Sequence, residues 1–185
     1  MDRLRIFVSS TQKDLQSERD RAEAVISELG HECLRAETHD APGSSPEEAC
    51  MALATSCDIY VGIFGSRYGY VVPHLGCSAT EMEFQAAREV NPGKVLVYLK
   101  HASDVEAEQA RFLQKVQDFS AGYFRRQLFH TDADLADQIR RDLVTWLSKK
   151  VRETLAKEIE LRALRDKVAH LSRVMELYGV PENLR

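Results

Sequence analysis

The stretch from Phe64 to Ala87, FGSRYGYVVPHLGCSATEMEFQAA, gathers the residue types that a nucleoside- or sugar-handling site needs. Glu81 stands three residues after Ser78, so S-A-T-E sets a carboxylate in the first turn of a helix. From there it can reach a ribose, stabilise an oxocarbenium-like centre or attack it as a nucleophile. The helix N-terminus favours its ionised form. The same four residues also read as a capping box, which needs no catalysis. Glu83, two residues on, points to another side and reads more simply as solvated. Only one of the two carboxylates can face a crevice directly.

Arg67, Tyr68 and Tyr70 lie just before that helix, between Gly65 and just beyond Gly69. Glycine lets backbone approach a ligand closely. Tyrosine offers a flat face for a base and a hydroxyl, and arginine grips phosphate in a fork. A loop whose aromatics merely cover the end of a sheet has the same composition. Ser9, Ser10 and Thr11 follow an apolar strand and open the next helix, where hydroxyls and amides bind phosphate or ribose, or simply cap the helix. That helix also carries Asp14, Glu18, Arg19 and Asp20, of which Asp14, Glu18 and Arg19 read as a solvated or mutually paired face. Asp58, ahead of the third strand, reads as an acceptor for loop amides.

Other chemistries are not signalled. The chain has no G-x-S-x-G elbow and no G-x-x-x-x-G-K-[ST] loop. Cys33, Cys50, Cys57 and Cys77 form no C-x-x-C pair, and the histidines show no H-E-x-x-H spacing, so no metal site and no bound cofactor are expected. A net charge of -4 gives no reason to expect nucleic-acid binding. No apolar run has membrane-spanning length and MDRLRIFVSS lacks a signal-peptide pattern, so the expected location is cytoplasmic.

The elements that must position these residues alternate. Strands are expected at Leu4–Ser9, His31–Glu37, Ile59–Phe64, Lys94–Leu99 and, nearer an edge, Tyr123–Phe129. Helices are expected at Thr11–Leu29, from Ser45 with its Pro46 and Glu48 capping box, at Ser78–Val90, at Ala102–Phe119 and from Thr131 onward. Asp40–Ser44 reads as a turn-rich loop. The alternation predicts an α/β fold with a flavodoxin-like parallel sheet of order 2-1-3-4-5, flanked by helices. Ligands bind such sheets at the switch point, here between the loops after strands one and three.

Two regions are expected, an α/β domain over 1–150 and a C-terminal helical extension with the start of a linker over 151–185. Leu161, Leu164, Val168, Leu171, Met175 and Tyr178 alternate three- and four-residue spacings. A helix packing on the domain or on a sister helix is favoured over an independent dimer coil. The closing VPENLR reads as linker, which suggests the N-terminal piece of a longer protein.

Three ordered segments, FVSSTQKDLQSERD, SCDIYVGIFGSRYGY and GCSATEMEFQAA, resemble a TIR-like domain of unknown function found ahead of many signalling NTPases. The resemblance is close over Leu4–Leu99. That family is related to TIR domains and to nucleoside 2-deoxyribosyltransferases. The resemblance implies a TIR-like fold and, matched onto the transferase G-T-x-x-E-x-G-x-A pattern, places the nucleophilic glutamate at Glu81. The chain departs from that pattern with Glu83 in place of glycine, and it does not reproduce the S-x-W-C-x-x-E spacing of NAD-cleaving TIR domains. The expected function is an effector domain that cleaves an N-glycosidic bond of NAD or a related nucleotide after self-assembly. Glu81 and Glu83 are its candidate catalytic residues; Ser9, Ser10, Thr11, Gly65, Arg67, Tyr68, Tyr70 and Ser78 are its candidate ligand contacts. The rivals are a non-catalytic nucleotide-sensing or homotypic interaction module of a larger STAND-type NTPase, and a nucleoside deoxyribosyltransferase. Expected partners are a nucleotide-like small molecule, further copies through the C-terminal helix or TIR-like faces, and a C-terminal NTPase module.

Overall fold

The computed structural model describes residues 3–38, 43–118, 120, 122–123 and 127–178. The chain divides into two compact units, residues 1–141 and 142–185. Strands β1 (Arg5–Ser9), β2 (Glu32–Leu34), β3 (Ile59–Phe64) and β6 (Val95–Leu99) form one parallel sheet of order β2-β1-β3-β6. A separate two-stranded hairpin pairs β4 (Val71–Val72) with β5 (Cys77–Ser78). The helices are α1 (Gln16–Glu28), α2 (Pro46–Ser56), α3 (Ala79–Val90), α4 (Ala107–Val116) and α5 (Asp132–Leu177). Among the described residues, no helix is long and apolar enough to cross a membrane.

The expected order 2-1-3-4 is present, with β6 as the fourth core strand. At the fifth place the described residues make only a one-residue parallel bridge, Lys100 to Phe129. Residues 124–126 of the expected fifth strand, and most of the Asp40–Ser44 loop, lie outside the described residues. The second strand is three residues rather than seven, and a 3-10 turn at Ala36–Thr38 takes the last two residues of the expected strand. The hairpin has no sequence counterpart, since two-residue strands carry too little periodicity to stand out.

β3 is buried along its whole length, which is why its sequence IYVGIF is apolar on both faces. Alternate residues serve opposite layers. Phe7, Tyr60, Phe64, Val97 and Leu99 join a core cluster with Leu53 of α2, Phe84 of α3 and Phe112 of α4. Phe84 is its hub, edge-on to Tyr60 (6.4 Å), Phe64 (5.9 Å) and Phe112 (5.5 Å). Gly62 sits on the same side between two of these rings; a Cβ there would lie 2.6 Å from Phe64 Cζ.

α2 starts where its sequence says it should. Ser45 accepts from the Glu48 amide, Glu48 accepts from the Ser45 amide, and Pro46 occupies the first helical position. Its other end is closed by a buried lysine: Lys94 Nζ donates to the carbonyls of Ala54 (2.9 Å), Thr55 (2.8 Å) and Cys57 (3.2 Å). Asp58 accepts the Arg5 amide at 2.8 Å, pinning β1 at its N-terminal end.

Candidate functional site

A cavity of about 520 Å³ opens at the carboxyl ends of β1 and β3. This is the switch point of the sheet, and the volume suits a small-molecule ligand. Three segments make most of its wall: Val8–Asp14 at the end of β1 and in the loop beyond it, Arg67, Gly69 and Tyr70 after β3, and Ala79, Thr80 and Glu83 on α3.

The first segment is a loop rather than the opening of a helix. α1 begins at Gln16, five residues later than expected, so Thr11–Asp14 form a turn against the cavity. The expected start at Thr11 moves because the apolar periodicity of this helix begins only at Leu15. The second segment is held by α4: Gln109 Nε2 donates to the Gly65 carbonyl (3.0 Å), the Glu106 amide donates to Ser66 (2.9 Å), and the Glu106 carboxylate accepts the Tyr68 amide (2.7 Å). Gly69 has φ +85°, and a Cβ there would lie 2.8 Å from Thr11 Cγ2, so the two loops close against each other.

α3 presents its two glutamates to different places. Residues two apart on a helix are separated by about 200° around its axis. Phe84 fixes the phase by inserting into the core. Ala79, Thr80 and Glu83 then flank the cavity, while Glu81 is carried to the other flank. The expectation that Glu81 is the carboxylate in the crevice therefore changes to Glu83. Glu81 is buried, and its oxygens accept from Tyr68 Oη (2.6 Å), Lys115 Nζ (2.8 Å) and Gln85 Nε2 (3.0 Å). Ser78 Oγ accepts the Glu81 amide at 3.1 Å, so Ser78 caps α3 and does not line the cavity.

Glu83 is 6% exposed and is not a solvated residue. Its Oε2 accepts from Ser9 Oγ, and its carboxyl also hydrogen-bonds the Cys50 side chain. Burial pushes its pKa up to about 7, against the opposing pull of Ser9, Cys50 and the nearby Arg19. Burial, with the neighbouring Glu83 carboxyl, pushes the Cys50 thiol up to about 12, which keeps it a neutral donor.

Arg19 forms the floor beside Ser10. Its Nη1 donates to Ser10 Oγ (2.8 Å) and to the Ser10 carbonyl (3.2 Å), and its Nη2 reaches both Glu37 oxygens at 2.5 Å. Burial disfavours the charge on Glu37, yet Arg19 and Arg35 hold its carboxyl below the usual range. Arg35 continues the network to Asp20 (2.8 Å) and Glu23 (2.7 Å). The reading of Glu18 and Arg19 as solvated or mutually paired is thus replaced. Both are buried, and Glu18 pairs with Lys100. A sequence signal existed: Leu15, Glu18, Arg19 and Ala22 share one helical face, so the charges ride on the apolar stripe.

Of the expected ligand contacts, Ser9, Ser10, Thr11, Arg67 and Tyr70 line the cavity. Gly65, Tyr68 and Ser78 do not. Tyr68 packs against the core with its hydroxyl on Glu81, and burial together with that carboxylate raises its phenol. Tyr70 is 71% exposed, which leaves its ring free to cover a ligand. Asp14, Arg19 and Cys50 also line the cavity. Three buried polar atoms on this wall have no hydrogen-bond partner: Thr11 Oγ1, Asp14 Oδ1 and Arg19 Nε. Such atoms are costly to leave unpaired, and a ligand hydroxyl or phosphate oxygen is of the kind that would pair them.

Comparison with known proteins agrees with this architecture. Residues 5–144 match the family described as domain of unknown function DUF4062. No curated protein matches. Among solved structures, the TIR domains of the activated Roq1 resistosome that recognises the pathogen effector XopQ align with TM-score 0.51 at 12% identity, over 76% of this chain and 99% of that one. The RPS4 and RRS1 TIR domain heterodimer gives TM-score 0.49 at 11% identity, over 78% of this chain and 98% of that one. The CMP N-glycosidase BcmB of Clostridium botulinum gives 0.45 at 14% identity, over 73% of this chain and 97% of that one. The fold is TIR-like.

Proposed function

We propose that this chain, which belongs to the DUF4062 family, cleaves the N-glycosidic bond of NAD or a related nucleotide, with Glu83 as the acting carboxylate. The observation that carries the reading is a buried carboxyl on the wall of the switch-point cavity, held by Ser9 and raised to about 7. A carboxyl of that kind can serve at an oxocarbenium-like centre as nucleophile or as electrostatic partner. The bond that breaks is the one between the anomeric carbon and the base nitrogen. The base leaves with the electron pair, and water finally adds to the sugar.

The other wall residues take supporting roles in this reading. Tyr70 covers the leaving base, as an exposed ring beside the cavity can. Lys13 and Arg67 supply cations for phosphate at the rim. Thr11, Asp14 and Arg19 bring unpartnered polar atoms toward the sugar hydroxyls. Glu81 supports α3 and the Tyr68 loop instead of acting on substrate. Self-assembly is part of the proposal as the activating step.

The test is NAD loss resolved by chromatography, with wild type, Glu83→Gln and Glu81→Gln at high protein concentration. Nicotinamide release by wild type and Glu81→Gln, but not by Glu83→Gln, supports the proposal. A second reading, a nucleotide-sensing module of a longer STAND-type NTPase, is favoured by one observation: Ser9 and Cys50 already occupy the Glu83 carboxyl. Nucleotide binding without release from any variant would select it.

A further inference from the structure

α5 carries an apolar stripe over its last third. Leu161, Leu164, Val168, Leu171, Met175 and Tyr178 follow spacings of three, four, three, four and three. In heptad terms Leu161, Val168 and Met175 take a positions, and Leu164, Leu171 and Tyr178 take d positions. These side chains are not core. Leu161 is 48%, Leu164 59%, Val168 58% and Leu171 52% exposed.

We infer that this stripe is the seam of a parallel two-stranded coiled coil with a second copy of the chain. The inference does not depend on the proposed chemistry. Three features commit it to that occupant. The pattern is self-complementary, because an a/d stripe buries itself best against an identical stripe in register. The β-branched Val168 at a, with Leu164 and Leu171 at d, favours two strands in parallel over higher assemblies. The flanks agree in charge: Glu160 at g faces Arg165 at e of the other helix, giving an opposite-charge pair on each side of the seam. Among the described residues neither Glu160 nor Arg165 makes an ion pair within its own chain. An antiparallel arrangement would instead set Lys167 beside Val174 and Arg165 beside Ser172, with no attraction.

The seam has a defined start. Upstream, the same heptad puts Lys150, Thr154 and Lys157 at core positions, and would face Glu153 toward Glu158. Glu153 instead pairs within its own helix with Lys150, at 3.0 Å. The seam therefore opens at Leu161. It is short, but α5 already runs unbroken from Asp132 to Leu177, so the costly helix nucleus is formed before pairing.

The test uses the whole 185-residue chain in analytical ultracentrifugation. Wild type is expected to dimerise with concentration, and Leu164→Glu with Leu171→Glu to give a monomer of unchanged circular dichroism. Glu160→Arg and Arg165→Glu should each weaken the dimer several-fold, and the double exchange should restore it. Under mild oxidation Leu164→Cys should form a linked dimer above the wild-type background, and Asp166→Cys, on the outer face, should not. A wild type that stays monomeric overturns the inference. So does a dimer that survives the two glutamates, or a double charge exchange that fails to restore pairing in a chain that remains folded. Linking through Asp166→Cys in preference to Leu164→Cys overturns the register.

Discussion

The hydroxyl of Ser9, the last residue of β1, donates to the carboxyl of Glu83 on α3, 74 positions further along the chain. This bond joins the end of a central strand to the flank of a helix, inside the wall of the cavity. It gives Glu83 a fixed direction and one satisfied oxygen. Cys50 of α2 adds a second contact, so three elements converge on one carboxyl. Convergence of that kind orients a group for chemistry and also explains why it tolerates burial.

The first prediction separates the two glutamates of α3. Glu83→Gln is expected to lower nicotinamide release by about two to three orders of magnitude, the scale of losing one preorganised electrostatic contact to a transition state. Glu81→Gln should leave turnover within a few-fold and lower stability by roughly 1–3 kcal/mol, since it takes the charge from a buried carboxyl whose ion-pair partner Lys115 is exposed, while Tyr68 keeps an acceptor. Chromatographic rates and urea unfolding on the same preparations check both halves. Equal loss of turnover in the two variants would contradict the assignment.

A second prediction concerns pH. The Glu83 carboxyl is raised in the fold from its ordinary 4.5 to about 7. Between those values the native state holds a proton that the unfolded chain has released. Its contribution to stability is therefore full below 4.5 and is lost as pH rises through about 7. The upper limit of the effect is on the order of 3 kcal/mol. Glu83→Gln cannot ionise and should lack this component. Unfolding midpoints of wild type and variant, compared from acid to mildly alkaline pH, should diverge in favour of the variant as pH rises. A difference that stays constant across that range would show that Glu83 titrates normally.

The buried guanidinium under Ser10 yields the third. Arg19 is 2% exposed and holds Glu37 through one nitrogen and Ser10 through another. Arg19→Met should cost about 1–3 kcal/mol, because it takes one cation from the partly exposed Glu37, which keeps Arg35, and leaves the Ser10 oxygens without their donor. Arg19→Lys keeps the charge but not the fork, so it should recover only part of that loss. Urea midpoints for the three proteins give the order; a lysine variant as stable as wild type would show that charge alone suffices.

Much of this architecture could be read from the sequence because its signals are local. IYVGIF is apolar on both faces and becomes the fully buried β3. S-P-E-E announces α2, and every predicted part of its cap is present. The glutamates of α3 resisted, because which one meets the cavity depends on helix phase, and Phe84 sets that phase through contacts with Tyr60, Phe64 and Phe112. Lys94 and Arg19 resisted for a related reason. Their partners lie on other elements, so nothing near them in sequence distinguishes a buried charge from a surface one. Arg19 was nevertheless half visible, standing on the same helical face as Leu15 and Ala22.

The last prediction tests whether the two loops of the cavity act as one unit. Gly69 adopts φ +85°, a region that disfavours side chains by about 1–2 kcal/mol. A methyl group added there would also press on Thr11 Cγ2 at 2.8 Å. Thr11 is carried by the loop after β1, which includes Ser10 on Arg19 and follows Ser9 on Glu83. Gly69→Ala should therefore destabilise the chain by about 1–3 kcal/mol and displace a residue of the opposite wall. Thr11→Ser removes the crowded methyl and should recover the packing part of the loss, leaving the backbone part. A double-mutant cycle in urea measures that coupling. Additive effects would mean that the loops move independently, and the site would then not be held in a single shape by their contact.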